Sequence, residues 1–219
     1  MRFLRPLPRH IAVLLCAAVS VSAAELFNGK DFTGWELVAT PTTAIGEVCQ
    51  ILPEGVIAAK GSPTGFLSTT ASYENYRLHA EWRWSGKPGN GGVLVHISSG
   101  PKDRAWPLSL QIQTKNKNVG DVLPMAGATF AEPLTSAPSA APLIKAHTSA
   151  DSEKPVGEWN TCDILCQGDT LEVRINGVLQ NKITHAGPNA GKVGFQFEGT
   201  PFELRHVTLT PLATDAAAK

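Results

Sequence analysis

The stretch Tyr76-Arg77-Leu78-His79-Ala80-Glu81-Trp82-Arg83-Trp84 alternates strictly. Tyr76, Leu78, Ala80, Trp82 and Trp84 fall on one side, and Arg77, His79, Glu81 and Arg83 on the other. Period two means an extended strand with one packed face and one wet face. Both tryptophans belong to the packed face.

The pattern recurs outward from this segment. Toward the C-terminus, Lys87-Pro-Gly-Asn-Gly-Gly92 is a turn, followed by a strand over Val93–Ile97. Trp106–Thr114 alternates Leu108, Leu110 and Ile112 against Ser109, Gln111 and Gln113. Trp159–Cys166 and Thr170–Ile175 flank the turn Gln167-Gly-Asp169. Asn176-Gly177, the strongest short hairpin signal, leads into Val178–Ile183. Val193–Glu198 and Glu203–Leu209 close the series. No long stretch has helical period. Short strands separated by Gly, Pro and Asn predict an all-β, two-sheet antiparallel sandwich. Ala126–Gly157 is rich in Ala, Pro, Ser and Thr, and a loop of that length is expected to be a binding loop or disordered. Ala213–Lys219 is expected to be a flexible tail.

Residues 1–24 are expected to be a signal peptide, leaving a domain over 25–212. Arg2, Arg5 and Arg9 precede the apolar run Ile11–Val21, and Ser22-Ala23-Ala24 supplies small residues at cleavage spacing. The run is too short for a spanning helix, so no transmembrane segment is expected in the mature chain, which is placed in the periplasm or outside the cell. Removing three arginines leaves 16 basic and 19 acidic side chains, net −3, which argues against nucleic acid as a partner. Of the mature cysteines, Cys162 and Cys166 share one strand face at about 13 Å, too far to bridge. Any bridge would therefore involve Cys49; the simpler expectation is three buried thiols.

No nucleophile elbow, phosphate loop, zinc helix or calcium loop is present. What stands out is polar alternation: Glu81 with Arg83, then Ser109, Gln111 and Gln113, then Gln196 with Glu198, with His96 on its own strand. On one shared face these residues would form a polar floor, and sugar hydroxyls need such paired donors and acceptors. Trp35 is a further candidate stacking face, and Trp106, beside Pro107 at a strand start, is the better rim residue.

The chain also resembles the 3-keto-disaccharide hydrolase family. The matching segments are Leu26-Phe-Asn-Gly-Lys-Asp-Phe-Thr-Gly-Trp35, Asn75–Trp84, Pro88-Gly-Asn-Gly-Gly-Val-Leu-Val-His96, Trp106-Pro107 with Gln111-Ile-Gln113, Gly120-Asp121, Gly157-Glu-Trp-Asn160, Asn176-Gly177, and Gly191–Gly199 with Arg205 and Pro211-Leu212. The resemblance implies a concanavalin A-like jelly roll. It implies an exported enzyme that removes the C2 proton of a 3-keto-glycoside and expels the C1 group, with a carbohydrate ligand. Under it, Glu198, His96 and Glu81 are the expected catalytic residues. Arg83, Asn90, Trp106, Gln111, Gln113, Asp121 and Gln196 are expected to bind substrate, and Asp121 is also a possible base. The enolate oxygen calls for a donor set, for which Arg83, Gln111 and Gln113 are candidates, or a divalent cation, for which Glu198, His96, Glu81 and Asp121 are candidate ligands. One departure matters: relatives commonly read Glu-x-Gln where this chain reads Gln111-Ile-Gln113, and an amide cannot take a proton as a carboxylate does. A non-catalytic sugar-binding module is therefore the alternative, and a structural domain of the envelope a third reading.

Overall fold

A computed structural model describes residues 22–213; the expected signal segment before residue 22 and the tail beyond 213 lie outside the described residues. The strands are β1 (Ala24–Glu25), β2 (Trp35–Thr40), β3 (Cys49–Ile51), β4 (Ile57–Ala59), β5 (Thr64–Thr69), β6 (Tyr76–Trp84) and β7 (Gly92–Asp103). They continue with β8 (Trp106–Gln113), β9 (Val122–Met125), β10 (Asn160–Gln167), β11 (Thr170–Ile175), β12 (Val178–Ile183), β13 (Lys192–Phe197) and β14 (Phe202–Pro211). Among the described residues, helix is limited to α1 (Ile45–Val48) and one 3-10 turn. All pairings are antiparallel, and they build two sheets. One runs β12-β11-β10-β6-β14-β4-β3, with β1 on β14; the other runs β2-β5-β13-β7-β8-β9.

The expected strands appear within a residue or two, except that β7 runs on to Asp103. The turn before β12 owes its shape to Asn176 and Gly177, both at positive φ (49° and 80°). The core fills the space between the sheets. Trp82, Trp84, Tyr76 and Leu78 of β6 meet Val93, Val95, Leu110, Ile112, Phe195 and Phe197 of the second sheet. Trimming one such aromatic side chain to alanine costs about 3–5 kcal/mol. Trp35 is also interior, stacked on Phe27 at 4.0 Å, and offers no face to a ligand.

The three cysteines are buried free thiols. Cys49 on β3 lies four strand positions from Cys162 and Cys166 on β10, about 19 Å at normal strand spacing, so the considered bridge is out of reach. Burial pushes the Cys49 and Cys166 thiols up to about 12.

Ala126–Gly157 contains no regular strand, yet it is tied down along its length. Val122 and Lys145 exchange backbone hydrogen bonds, Thr135 and Ser136 bond to Ile144, and Thr148 N–H donates to Gln180 O. The segment crosses from β9 to β12 and covers the end of the sandwich where both sheets stop. Lys145 Nζ donates to Asn181 Oδ1 at 2.7 Å across that gap.

Candidate functional site

On the six-stranded sheet, residues that alternate with the core strand faces point away from the sandwich interior. Pairing puts Gln111 opposite Leu94 and Leu123, Gly92 opposite Gln113, and Gln196 opposite Phe66. These side chains floor a cleft of about 620 Å³, a size suited to a small ligand. Gln111, Gln113, Gln196, Asn90, Trp106, Asp121 and Glu198 all line it. The wall comes from Ala126–Gly127 and Ala140–Ile144, so the long segment supplies one side of the cleft as a binding loop would.

The floor side chains are buried and incompletely paired. Gln111 is 1 % exposed and Gln196 3 %. Gln111 Nε2 donates to Gln113 Oε1, which leaves Gln111 Oε1 without a partner. Gln196 Oε1 and Asn90 Oδ1 are also buried and unpartnered. A buried acceptor without a donor costs about 1–3 kcal/mol, so the three form a built-in cost at the cleft floor. Gly92 makes this possible: a Cβ there would fall 2.6 Å from Gln111 Cγ and 2.8 Å from its Nε2.

Three carboxylates line the cleft, those of Asp103, Asp121 and Glu198. Glu198 follows β13 directly and is exposed at the cleft. The protein around its carboxyl strips hydration and raises its pKa, with the Lys115 ammonium pulling the other way. Asp121, at the turn between β8 and β9, is 2 % exposed. Its Oδ1 accepts from His147 N–H at 2.8 Å and from His147 Nδ1 at 2.6 Å. Asp121 is therefore held in place by the long segment. Sequence reasoning missed His147, Lys115 and Arg104, the last two being the cations that line or border the cleft. A positive residue just beyond the Gln111-x-Gln113 strand was the available signal for Lys115; His147 had none, because its partner lies 26 residues away.

Three expected site residues are elsewhere. Glu81 and Arg83 belong to β6, in the centre of the other sheet, on its outward face. There Arg83 Nε donates to Glu203 Oε2 at 2.6 Å, and Arg205 Nε donates to Glu81 Oε2 at 2.6 Å. Both guanidinium groups lie over the Trp159 ring, at 4.5 and 4.2 Å. Burial works to raise the Glu81 pKa, but bonds from His206 and Arg205 outweigh it and hold the carboxyl below its usual range. The alternation of β6 was read correctly; its sheet was not, because strand pairing is non-local.

His96 is in the interior. Simple alternation would turn it outward with Leu94. Extra residues in β7 between Val95 and Ser99 form a bulge, His96 takes φ 56°, and its ring packs edge-on against Tyr76 at 5.8 Å. Nδ1–H donates to Pro188 O at 3.1 Å, and Nε2 is buried without a partner. Burial drives its pKa down to about 4, against the Pro188 hydrogen bond. His96 is a neutral packing residue and not a cleft base.

For a divalent cation, the donor set of the cleft is the test. No three His, Cys, Asp or Glu side chains converge on a metal position among the described residues. The floor presents neutral amides, and Asp121 is engaged by His147. These residues do not form the carboxylate–imidazole set that a catalytic transition-metal ion takes.

Among solved structures, the chain is similar to a candidate glycosyl hydrolase from Parabacteroides distasonis ATCC 8503, with 20 % identity and TM-score 0.63 over 87 % of this chain and 94 % of that one. It is also similar to the carbohydrate-binding module CBM66 from Bacillus subtilis, with 12 % identity and TM-score 0.56 over 81 % and 95 % of the two chains. A third similar structure is SCLam, a non-specific endo-β-1,3(4)-glucanase of family GH16, with 12 % identity and TM-score 0.56 over 87 % and 89 %. At these identities the likeness establishes the jelly-roll fold. No curated protein matches by sequence. A family model matches residues 22–210, nearly the whole described chain, and with that coverage the chain belongs to the 3-keto-alpha-glucoside-1,2-lyase-like domain family.

Proposed function

We propose that this is a carbohydrate-active enzyme that cleaves 3-keto-glycosides in the amide-floored cleft, by abstracting the C2 proton and expelling the C1 group. The carrying observation is the set of three buried, unpartnered amide oxygens, on Gln111, Gln196 and Asn90, beside the carboxylate of Glu198. Family membership supports the reaction class.

A ketone at C3 acidifies the hydrogen on C2. Glu198 is the base: desolvation raises its pKa, which makes its carboxylate a stronger proton acceptor than an ordinary glutamate. The C–H electron pair moves into an enolate, and then into a C1=C2 bond as the C1–O bond breaks. Lys115, close enough to Glu198 to act on its ionisation, and Arg104 are the cations available to the enolate oxygen. The amide oxygens accept from the ring hydroxyls and orient the sugar. Asp121, fixed by His147, closes the opposite side. Gln111 in place of the acid common in relatives removes a charge from the floor but leaves a base in the cleft, which favours the enzyme over the binding module.

The test is turnover of phenyl, methyl and glucosyl 3-keto-glucosides by wild type and Glu198→Gln. The variant keeps shape and hydrogen bonding, and turnover should fall by about 10²–10⁴-fold, the range for loss of a general base. Unchanged turnover would remove Glu198 from the mechanism, and no turnover by wild type would remove the reaction. We also propose that the protein acts outside the cytoplasm, on the basis of the residue 1–24 pattern. The exported chain should begin near Glu25, and an intact mass retaining Met1 would refute this.

A further inference from the structure

The same sheet face carries a second cavity of about 380 Å³, which the mechanism above does not use. Its floor is Phe66, Ile97 and Val38, which form with Leu94 an apolar cluster separate from the main core. The two cavities adjoin. Gln196 lines the first and Phe66 the second, and these two residues are direct cross-strand partners. Along β13, Gln196 and Lys192 mark the two cavities with Gly194 between them on the same face, where the Ile97 side chain packs over the glycine and continues the apolar floor. Gln196 to Lys192 spans about 13 Å at strand rise, the length of a two-ring molecule.

The chemistry of the second cavity differs from the first. It holds no unpartnered buried amide. Its one carboxylate, Glu36, is bound by Lys192 Nζ, and Ser68 also donates to it. Serine hydroxyls at the rim (Ser72, Ser98 and Ser99) are the remaining polar groups. A second sugar ring, which needs many paired acceptors and donors, is poorly served. A flat apolar ring is well served.

We infer that this cavity is the leaving-group subsite and that it takes an aromatic aglycone, so that the substrate is a 3-keto-glycoside of a phenol. This rests on the proposed cleavage reaction. In the step itself, the C2 proton goes to the Glu198 carboxylate, the C1=C2 bond forms and the C1–O bond breaks. The oxygen departs as phenoxide, which is then protonated by solvent. The cavity offers no free carboxylic acid to protonate a departing alkoxide, since Glu36 is tied to Lys192, and a phenoxide requires none.

The experiment compares phenyl, methyl and glucosyl 3-keto-glucosides on wild type, Val38→Asn and Val38→Thr. Val38 sits on the edge strand β2 and is half-buried, and the threonine variant preserves its shape. The ratio of kcat/KM for phenyl over methyl should fall about tenfold in Val38→Asn and several-fold in Val38→Thr, with the loss in KM. Because a ratio within each variant is read, the intrinsic reactivity of phenoxide cancels. A binding readout independent of turnover is the shift of the Val38 methyl NMR signals on titration with phenol itself. An unchanged ratio in both variants, or glucosyl as the substrate that the substitutions weaken, overturns the assignment; the latter would make the cavity a second sugar site. If no 3-keto-glycoside is cleaved at all, the reaction fails, and the phenol titration still decides whether the cavity binds an aromatic ring. Absence of Val38 shifts there overturns the subsite.

Discussion

Replacing Gly92 by alanine should disable the cleft without touching any polar group. The backbone at Gly92 lies outside the positive-φ region, so alanine meets no backbone strain. Its Cβ would lie 2.6 Å from Gln111 Cγ and 2.8 Å from Cδ and Nε2. Those atoms run from the middle to the end of a side chain that is 1 % exposed and bonded through that end to Gln113, so they cannot swing freely away. Overpacking of this kind costs about 1–3 kcal/mol, and for a domain of this size each kcal/mol lowers Tm by roughly 2–4 °C. The displaced amide would also leave a bound hydroxyl without its acceptor. At about 1–3 kcal/mol for an unpaired buried group, kcat/KM should drop roughly tenfold to hundredfold. Adding Gln111→Ala to Gly92→Ala removes the collision, so the double variant should regain Tm but not turnover. The assay is thermal melting alongside 3-keto-glycoside turnover for the two single variants and the double. If Gly92→Ala keeps wild-type kcat/KM and Tm, then Gln111 neither packs against Gly92 nor orients substrate, and the floor reading is refuted.

Other outcomes follow from residues placed outside the cleft. His96 is neutral in the fold with a pKa near 4, below its unfolded value of about 6.5, so the unfolded chain takes up the proton first. Stability from this group is complete above pH 6.5 and is lost as pH falls toward 4, amounting to about 2 kcal/mol between pH 7.5 and pH 5. His96→Asn, which tolerates the positive φ, should flatten the pH dependence of urea unfolding over that window by about this amount; an unaltered slope would mean that His96 is solvated. Glu81→Gln should leave turnover within twofold while lowering Tm, because it breaks the Arg205 and His206 contacts on the far sheet. A large loss of turnover with Tm intact would place Glu81 back in the mechanism.

Much of the fold was legible because alternation is local. The faces of β6, β8, β10 and β13 follow from residues two apart, and the turn at Asn176-Gly177 follows from two residues that accept positive φ. β1 to β5 and β9 were not picked out; β1, β3, β4 and β9 run only two to four residues, too few repeats for a period to show. The site was half legible. Gln111, Gln113, Gln196 and Glu198, expected on one polar floor, line one cleft, as do Asn90, Trp106 and Asp121, which were expected to bind substrate. Glu81 and Arg83 were expected with them because their strand has the same polar alternation, and that pattern is identical whichever sheet the strand joins.

The sequence by itself determined which residues of the longer strands are extended, which of them share a face within each strand, and that the described residues are almost wholly β. Tertiary structure alone decided which faces meet. β6 pairs with β10 and β14, and that carries Glu81 and Arg83 to the opposite surface. The β7 bulge turns His96 inward to Tyr76, and a contact across 26 residues fixes Asp121 to His147. The physical reason is that a strand's own alternation constrains side chains only two residues apart. Its neighbours are chosen by hydrogen bonding and burial summed over the whole chain.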